Sequence, residues 1–593
     1  MPGAHSELDD HPELAAALER CRAVPGGLVG LALEPSVGVA VATAHGSFAT
    51  GAEDSCRLVA SIERAVRPRW VTWTSATALT MVRAGLRVAR GWNLATVHCL
   101  LAGGADAGPD RVWAQAHGLA LDGLPRAGPR DLFSSWQDDE ADRVDGPDPD
   151  GPLGPDGYLR PEWAAGGWRA STERLRRWSA LAIEVAGLQQ LALAAMTSRP
   201  AAAMTARSES TAELLCAEMT VDGLPMARAV AERVVAGFIG PRPSDDAAAA
   251  AARAERDAAV LRFAPPGCEV DLRSPAQVKE MLHVLGLDVA DTRTGRLRTL
   301  EHRHPVVAAL LAWRRAERIA TTFGYEWLDE HLGPDGRLRG TWTSCDGAAG
   351  RMTASGGLHN MPAELRPAVV AEPGHVFVRA DLGQIEPRVL AAVSGDEALA
   401  RATLGGDLYA PVAERLGIDR QAAKVAVLGA MYGQTSGNGA IALRRLTGAY
   451  PVAMAYLDRA ARFAEQGRDL RTYGGRCVRF APAPGAEAAV EDRRAVAARG
   501  RYGRNAVVQG AAAELFKIWA VTVRERSAHL GARIVLCLHD ELLVHVPSEH
   551  GDAAARLVSS CLDEAVRRWA PGTAVRFVAE IGVIATWADA KGA

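Results

Sequence analysis

Two carboxylate-bearing segments, far apart in the chain, each accompany an apolar strand-like run. In VRADLGQIEPRVLAAVSGD, residues 378–396, Asp381 ends an apolar strand and the polar residues from Gln384 onward begin a helix. In the second segment, HDE at 539–541 lies between IVLCL and LLVHV, which predicts the turn of a β-hairpin. Two distant carboxylates on strand ends are what a two-metal phosphoryl-transfer site requires.

Each segment has a plainer explanation when it is taken alone. An aspartate at a strand end is more often a helix cap than a metal ligand. Pro387 suits the first helical turn, however, so Asp381 lies several residues too early to cap that helix well. HDE is also a common polar turn between strands. Because Mg²⁺ takes few carboxylates plus substrate phosphates, Asp381 and Asp540 would suffice as ligands.

The helix RQAAKVAVLGAMYG, residues 420–433, lies between these two segments in sequence. It places Arg420, Lys424, Leu428 and Tyr432 at intervals of four, which forms one slowly drifting stripe. Taken alone, the segment is typical of a core-packing helix with two solvated cations. In the functional interpretation, Arg420 and Lys424 bind triphosphate oxygens while Leu428 and Tyr432 face the base and sugar.

A later segment, RYGRNAVVQGAAAELFK, carries Arg501, Asn505 and Gln509 at the same spacing. An exposed polar helix face is the simpler interpretation of this segment. Polar amides on one stripe beside an apolar face also suit hydrogen bonding in a DNA minor groove. The order in which all these segments occur favours nucleotide polymerisation more than any one of them does.

The bulk composition limits the class of protein. The chain has 593 residues with 48% hydrophobic residues, which predicts three or more folding units. The formal net charge is only −3, so contact with nucleic acid would need a local positive cleft. Nine cysteines occur singly, which indicates a reducing cytoplasm. We find no apolar signal region and no apolar run of membrane-spanning length, so we expect no membrane association.

Strand and helix patterns alternate near the N-terminus. Residues 27–47 predict two strands and WVTWT at 70–74 a third, which together with intervening helical patterns suggests an α/β domain. The stretch 137–167 is acidic and rich in Pro and Gly, and predicts an exposed loop. Helical patterns dominate from 170 to 323, and one of these helices starts with Ser274 as cap and Pro275 at its first position.

At this point the sequence resembles the family A (DNA polymerase I type) DNA polymerases. The three family motifs are DLGQIEPR, RQAAKVAVLGAMYG and HDELLVHV, supported by DLRSPAQV, GRMTASGGLHNMP, NAVVQGAAAE and IGVIATWADAK. The resemblance covers about residues 205–593. The sequence is similar in particular to the actinobacterial branch of the family, whose members carry an exonuclease-like N-terminal region.

The resemblance implies an α+β right-hand polymerase, with an antiparallel palm sheet and helical fingers and thumb, preceded by an α/β RNase H-like exonuclease-type domain. The implied regions are a degenerate 3′–5′ exonuclease-like domain (1–200), thumb (201–345), first palm part (346–402), fingers (403–504) and second palm part (505–593). We expect a cytoplasmic monomer whose partners are primer-template DNA and dNTPs.

The family pattern also implies residue roles. Asp381 and Asp540 would hold two Mg²⁺ ions, with Glu541 supporting the metal site and Lys424 as a candidate proton donor to pyrophosphate. Glu386 would be the steric gate against a ribose 2′-hydroxyl. The remaining implied dNTP-binding residues are Gln384, Tyr409, Arg420, Lys424, Leu428 and Tyr432. The implied DNA-binding residues are Arg351, Asn360, Arg501, Asn505, Gln509 and His539.

Several positions depart from the family pattern. Leu428 stands where the fingers helix usually has an aromatic residue, which weakens stacking on the incoming nucleotide. Leu382-Gly383 replaces the usual Tyr-Ser, Pro387 replaces a leucine, and Tyr409 stands in the place of a histidine. These departures concern fidelity and sugar discrimination more than the chemistry.

The N-terminal region lacks the carboxylates of a proofreading nuclease, which needs four around two metals. The Asp-x-Glu of the first strand reads Ala32-Leu33-Glu34, and Asn93 stands where an aspartate would fall. We therefore expect the fold without nuclease activity. The leading hypothesis is a DNA polymerase for replication or repair gap filling. The alternatives are a catalytically weakened DNA-binding repair factor, an active 3′–5′ exonuclease/polymerase, and a single-subunit RNA polymerase, against which Glu386 argues.

Overall fold

The computed structural model describes residues 21–125, 150–265, 269–346, 349–433, 438–480, 493–538 and 540–591. They form two compact units. The first takes its described residues from Met1–Asp222, Thr341–Thr353 and Val378–Val583, and the second from Gly223–Gly340, Ala354–Phe377 and Ile584–Ala593.

The N-terminal part of the first unit alternates strands with helices, as predicted. Residues 27–51 form three strands rather than the two predicted over 27–47. The elements are β1 (Leu28–Glu34), β2 (Gly38–Thr43), β3 (Gly46–Gly51), α1 (Ser55–Val66), β4 (Arg69–Thr72), α2 (Ser75–Arg83), β5 (Arg90–Asn93), α3 (Leu94–Ala102), α4 (Pro109–Ala116), α5 (Pro161–Ala164), α6 (Thr172–Ala194) and α7 (Ala202–Asp222).

The five strands form one mixed sheet in the order β3-β2-β1-β4-β5. β1 pairs antiparallel with β2 and parallel with β4, and β4 pairs parallel with β5. The central strand β1 is an apolar run whose inner residues are all buried, as expected for a strand covered on both faces. Helix α6 packs on β1, β2 and β3, while α7 packs on β5.

The second unit is mainly helical. Its helix α10 begins as the sequence predicts, with the Ser274 side chain accepting from Gln277 N and Pro275 at the first helical position. The elements are β6 (Leu224–Pro225), α8 (Arg228–Ile239), α9 (Asp246–Leu261), α10 (Pro275–Val284), α11 (Thr294–Arg298), α12 (Pro305–Thr322), α13 (Tyr325–His331) and β7 (Arg337–Leu338).

The first unit continues after residue 340 with the elements that carry the family motifs. They are β8 (Trp342–Asp346), β9 (Arg351–Ala354), β10 (His375–Leu382), α14 (Ile385–Ser394), α15 (Glu397–Ala402), α16 (Tyr409–Leu416), α17 (Arg420–Tyr432), α18 (Asn438–Ala449), α19 (Pro451–Glu465), β11 (Leu470–Arg471), β12 (Cys477–Val478), α20 (Arg493–Ser527), β13 (Arg533–Leu538), β14 (Glu541–Pro547), α21 (Gly551–Trp569) and β15 (Ala579–Ile584).

A four-stranded sheet in the order β13-β14-β10-β15 supports the two carboxylate-bearing segments. β13 and β14 pair antiparallel as a hairpin in which Leu538 faces Glu541. The predicted turn at 539–541 therefore joins two strands that are almost wholly buried. This burial holds the turn in place against the end of β10.

The long helix α20 packs against α7, α19 and α21. It runs through the predicted boundary between fingers and second palm part at 504/505, and α7 clusters with the first unit although its sequence falls in the predicted thumb. The five predicted regions stay predictions. Among the described residues, the helix Arg493–Leu530 is long and apolar enough to cross a membrane by length and composition, and 83% of its apolar 18-residue window is buried inside the structure, as in a core helix.

Candidate active site

The end of β10 meets the β13–β14 turn, which brings Asp381 and Asp540 together. The main-chain N–H of Leu382 donates to the carbonyl of Asp540 at 2.9 Å. The next residue, Gly383, donates to Val578 at 3.1 Å and so ties the strand end to the chain that enters β15. These main-chain bonds fix both carboxylates at one edge of the sheet.

Arg379 connects two of the acidic residues, a role that the sequence analysis missed. Its Nη2 donates to Asp381 Oδ2 at 2.8 Å, and its Nε donates to Glu541 Oε1 at 2.5 Å. Arg379 and Asp381 are two residues apart on β10, so they lie on the same face of the strand. That spacing was a usable signal. Glu541 is buried and held by Arg379 beside the two aspartates.

The two aspartates lie in an environment that disfavours their negative charge. Burial raises the pKa of Asp540 to about 6, and the neighbouring carboxylate of Asp381 contributes. Burial also raises the pKa of Asp381, which Arg379 opposes and Glu541 reinforces. Partly buried oxygen ligands with neighbouring carboxylates are a suitable environment for a divalent cation.

Beside Asp540 lies a cavity of about 290 Å³. It contains five of the predicted nucleotide-binding residues together with residues of α20. Its lining includes Arg351, Gln384, Glu386, Tyr409, Leu428, Tyr432, Gln509, Ala512, Ala513 and Asp540. The structure thus brings together side chains from β9, α14, α16, α17, α20 and the β13–β14 turn.

Glu386 is fixed in the cavity wall by two hydrogen bonds. The Tyr432 hydroxyl donates to Oε2 at 2.9 Å, and Arg351 Nη2 donates to Oε1 at 3.1 Å. Burial and the Glu386 carboxylate raise the pKa of Tyr432 to about 12, so the phenol keeps the proton that it donates. Gln509, with its side-chain oxygen turned toward Arg351, accepts from Nε and Nη1 at 2.9 Å each.

Arg420 and Lys424 lie on the same stripe of α17 but outside the cavity lining. Lys424 is exposed. Arg420 forms an ion pair with Asp407, at 2.6 Å from Nε to Oδ2. Asp407 also accepts from the Gln384 amide at 2.7 Å. Asp407 had no predicted role, and the signal in the sequence was its position two residues before Tyr409.

The remaining predicted DNA-binding residues are more dispersed. On α20, Asn505 is half-buried and Arg501 is exposed near Gly433, whose left-handed φ of +69° ends α17. Asn360 is exposed in the second unit, where its carbonyl accepts from Arg318 at 2.7 Å. His539 lies outside the described residues.

The second unit contains a larger open cavity with a basic lining, of about 1240 Å³. Its charged residues are Arg253, Arg273, Lys279, Arg293, Arg314 and Arg318, against Asp291 and Glu317. A local positive surface of this kind is what the near-neutral net charge requires of a chain that contacts nucleic acid.

Arg388 has a structural role that the sequence did not reveal. It is fully buried, and its guanidinium donates to main-chain carbonyls of three segments: the turn before α14, the loop after α15 and the chain before β15. The five acceptors are Gly383, Thr403, Gly405, Gly406 and Arg576. Arg388 therefore fixes the turn that follows Asp381.

In the N-terminal sheet, the positions expected to bear nuclease carboxylates have other roles. Ala32 is buried in an apolar cluster that includes Trp73 and Trp178, whose stacked rings are 4.3 Å apart. Asn93 is buried and caps α3 by accepting from Thr96 N at 2.9 Å. The Glu34 carboxylate lies 3.5 Å from Arg169.

The structure is similar to the POL domain of Pol1 from M. smegmatis, solved in complex with a DNA primer-template and dNTP. The TM-score is 0.68 at 21% sequence identity, and the similarity covers 98% of each chain. At this identity the comparison shows a shared fold, and the fold is that of a polymerase with mixed helix and sheet.

Sequence comparisons give the family. The model of DNA polymerase family A matches residues 245–589. DNA polymerase I of Chloroflexus aurantiacus is 32% identical over 304 residues, which cover 46% of this chain and 31% of the relative. The thermostable DNA polymerase I of Thermus aquaticus is 30% identical over 377 residues, 57% of this chain and 44% of the relative. The matches thus span less than half the length of these relatives. The chain belongs to DNA polymerase family A, which confirms the resemblance.

Proposed function

We propose that this chain is a template-directed DNA polymerase that adds dNTPs to a primer 3′-hydroxyl during replication or repair gap filling. The observation that carries the proposal is the juxtaposition of Asp381 and Asp540, joined through the 2.9 Å bond from Leu382 to Asp540, beside the cavity that contains Glu386 and Tyr432. The relatives are DNA polymerase I enzymes by name, and for this chain we propose a cytoplasmic location.

The acidic residues fit two Mg²⁺ ions. Asp381 and Asp540 would supply the hard oxygen ligands that Mg²⁺ prefers, and burial, reinforced by neighbouring carboxylates, raises the pKa of both, an effect that a bound cation would oppose. When bound, the ions supply an activated 3′-hydroxyl and neutralise the triphosphate. Glu541 accepts a hydrogen bond from Arg379 and thereby orients that arginine. It would support the metal site in this way without being needed as a ligand.

The cavity next to the metal ligands suits a deoxynucleotide. Glu386 lies in its wall with both carboxylate oxygens engaged, so it cannot turn away to make room for a 2′-hydroxyl. Leu428 and Tyr432 line the same cavity and would contact base and sugar. Lys424 and Arg420, about one and two turns before Leu428 on α17, would bind the triphosphate, with Lys424 as the candidate proton donor to pyrophosphate.

The primer-template would be held by several groups. Arg351 and Gln509 form a bonded pair in the cavity, where a minor-groove edge would accept their hydrogen bonds. Arg501, Asn505, Asn360 and His539 complete the proposed DNA-binding set. The basic cavity of the second unit supplies cations for phosphate contacts that position the duplex without reading its sequence.

We infer further that the N-terminal part of the chain does not proofread. Ala32 lies in a buried apolar cluster that includes Trp73 and Trp178, and two metals cannot bind where the ligands are an alanine and a helix-capping asparagine. Of the Asp-x-Glu pair expected on this strand, Glu34 alone is a carboxylate; its side chain is 25% exposed and lies beside Arg169.

Single-nucleotide incorporation tests the proposed function. Four primer-templates that differ only in the templating base are each given one dNTP at a time with Mg²⁺. We expect extension by one residue only for the complementary dNTP, and much weaker use of the matching rNTP. A protein that binds the primer-template but extends none of the four would show that the proposal is wrong.

Removing the hydroxyl that fixes the gate should weaken sugar discrimination. In Tyr432→Phe, Glu386 loses the 2.9 Å bond and keeps only Arg351 as partner. One hydrogen bond to a charged group contributes about 1.5–2 kcal/mol, so the preference for dNTP over rNTP should fall roughly ten- to thirtyfold. The ratio of kcat/KM for the two nucleotides measures this. Tyr502→Phe, on α20, is the matched control and should leave the ratio unchanged.

Mg²⁺ binding should depend on pH through Asp540. Its pKa is raised to about 6, and the metal binds only the ionised carboxylate. Affinity is therefore full at higher pH and lost as the pH falls through 6, with about a fourfold loss at pH 5.5 relative to pH 7.5. Calorimetric titration of the protein with Mg²⁺ measures it. Equal affinities at the two pH values would contradict the assignment of Asp540 as a ligand.

A further inference from the structure

Asp407 lies in the loop before α16 and contacts three groups of the cavity and its rim. Its Oδ2 accepts from Arg420 Nε at 2.6 Å, and its Oδ1 accepts from Arg420 Nη2 at 3.2 Å. Oδ1 also accepts from the Gln384 amide at 2.7 Å and from Tyr409 N at 3.2 Å. One carboxylate therefore links α14, α16 and α17.

The geometry of the Asp407–Arg420 pair leaves one edge of the guanidinium available. Asp407 occupies Nε and one N–H of Nη2, so Nη1 and the second N–H of Nη2 still form an outer donor pair. The Arg420 side chain is 55% exposed, and its guanidinium carbon lies 5.8 Å from the Tyr409 ring centre. Arg420 is thus oriented on one side and open on the other.

The carboxylate is itself held by a constrained residue. Gln384 has a left-handed φ of +58°, which is uncommon outside glycine. Its side chain donates to Asp407, and its oxygen accepts from Leu408 N at 2.7 Å. Since Gln384 lies between Asp381 and Glu386 in sequence, the turn that presents the metal ligand also sets the position of Asp407. The hydrogen bond from Arg420 lowers the pKa of Asp407, so the carboxylate stays charged.

We propose that Asp407 is a positioning residue that presents the outer edge of Arg420 to the phosphates of the incoming nucleotide. The inference rests on the proposed polymerase function and adds to it a residue that determines triphosphate affinity. A flexible arginine must be ordered each time it binds a phosphate, and the Asp407 carboxylate orders it beforehand. Asp407 acts through Arg420 and does not itself touch the nucleotide.

A double-mutant cycle tests this assignment. The variants are Asp407→Asn, Arg420→Ala and the double variant, each bound to a primer-template whose primer ends in a dideoxynucleotide. Asparagine keeps an oxygen for Gln384 and Tyr409 but loses the charge that holds Arg420. Binding of the next complementary dNTP is followed by fluorescence of a labelled template base, and Glu414→Gln on α16 is the exposed-charge control.

If Asp407 acts by positioning Arg420, Asp407→Asn should raise the dissociation constant for dNTP about fivefold to tenfold. Adding Asp407→Asn to Arg420→Ala should cause no further loss of affinity. In primer extension the KM for dNTP should rise with kcat changed less than twofold. An unchanged or tighter dissociation constant, or a loss that adds fully to that of Arg420→Ala, would overturn the inference. Absence of any dNTP-dependent signal in the unmodified protein would instead contradict the proposed function.

Discussion

Replacing Asp540 with asparagine is expected to reduce Mg²⁺-dependent primer extension about a thousandfold or more. The substitution keeps the size of the side chain and the 2.9 Å main-chain bond from Leu382 but removes a charged ligand. Losing metal-based stabilisation of the reacting oxygens costs about 4 kcal/mol or more of transition-state free energy. Asp381→Asn should have an effect of the same size. Single-turnover extension with a labelled primer measures both.

The control for this prediction is Asp552→Asn. Asp552 is an exposed acidic residue in the first turn of α21, shortly after the β13–β14 hairpin, and its loss should leave the rate within about twofold because it lies outside the site. Circular dichroism verifies that all variants are folded. Extension by Asp540→Asn at more than a tenth of the normal rate would contradict the role of Asp540.

The largest expected effect on stability comes from Glu209. This carboxylate on α7 is fully buried, and it binds both the Arg476 guanidinium and the Lys517 ammonium, the latter at 2.6 Å. Both cations are also buried, at 2% and 1% exposure. Burial raises the pKa of Glu209, but the two cations outweigh it, so the pKa is lowered and the group is ionised. Glu209→Ala would leave two buried positive charges without their partner.

The free energy of unfolding should fall by about 3–5 kcal/mol in Glu209→Ala, because an unpaired buried charge costs far more than an exposed one. Urea unfolding followed by circular dichroism measures the change in midpoint. Glu173→Ala is the matched control, since Glu173 pairs with Arg176 at 2.6 Å on the surface and should cost about 1 kcal/mol or less. Similar losses in the two variants would show that the buried triad has no special role.

Local patterns predicted the elements that carry the site. The apolar run before Asp381, the hairpin around Asp540 and the stripe of α17 each follow from periodicity over a few residues, and so does the Ser274–Pro275 helix start. Each depends on neighbours in sequence, which a single chain displays directly.

The contacts that organise the site depend on residues distant in sequence. Arg388 is a polar residue near a helix start by sequence, yet its acceptors include Thr403 and Arg576. Asp407 meets Gln384 and Arg420 only because three helices converge. Nothing in the local pattern at these positions distinguishes a buried, bonded charge from a solvated one, because the partners are chosen by tertiary packing.

The N-terminal region shows the same difference between local features, which the sequence displays, and long-range contacts, which it does not. The sequence revealed that Ala32 and Asn93 are not carboxylates, which is a local fact. It did not reveal that Trp73 and Trp178 stack in the same buried cluster as Ala32, with the Trp73 indole donating to the Trp178 carbonyl at 3.2 Å. That packing is a long-range contact, and it makes recovery of a metal site by small movements unfavourable.

Primer length, with and without dNTPs, tests both the polymerase assignment and the absence of proofreading. A 5′-labelled primer on a longer template is incubated with the protein and Mg²⁺, once with all four dNTPs and once without. We expect growth to the end of the template with dNTPs and a primer of constant length without them. A primer that never grows would contradict the polymerase assignment, and a primer that shortens without dNTPs, with shortening abolished in Glu34→Ala, would contradict the absence of proofreading.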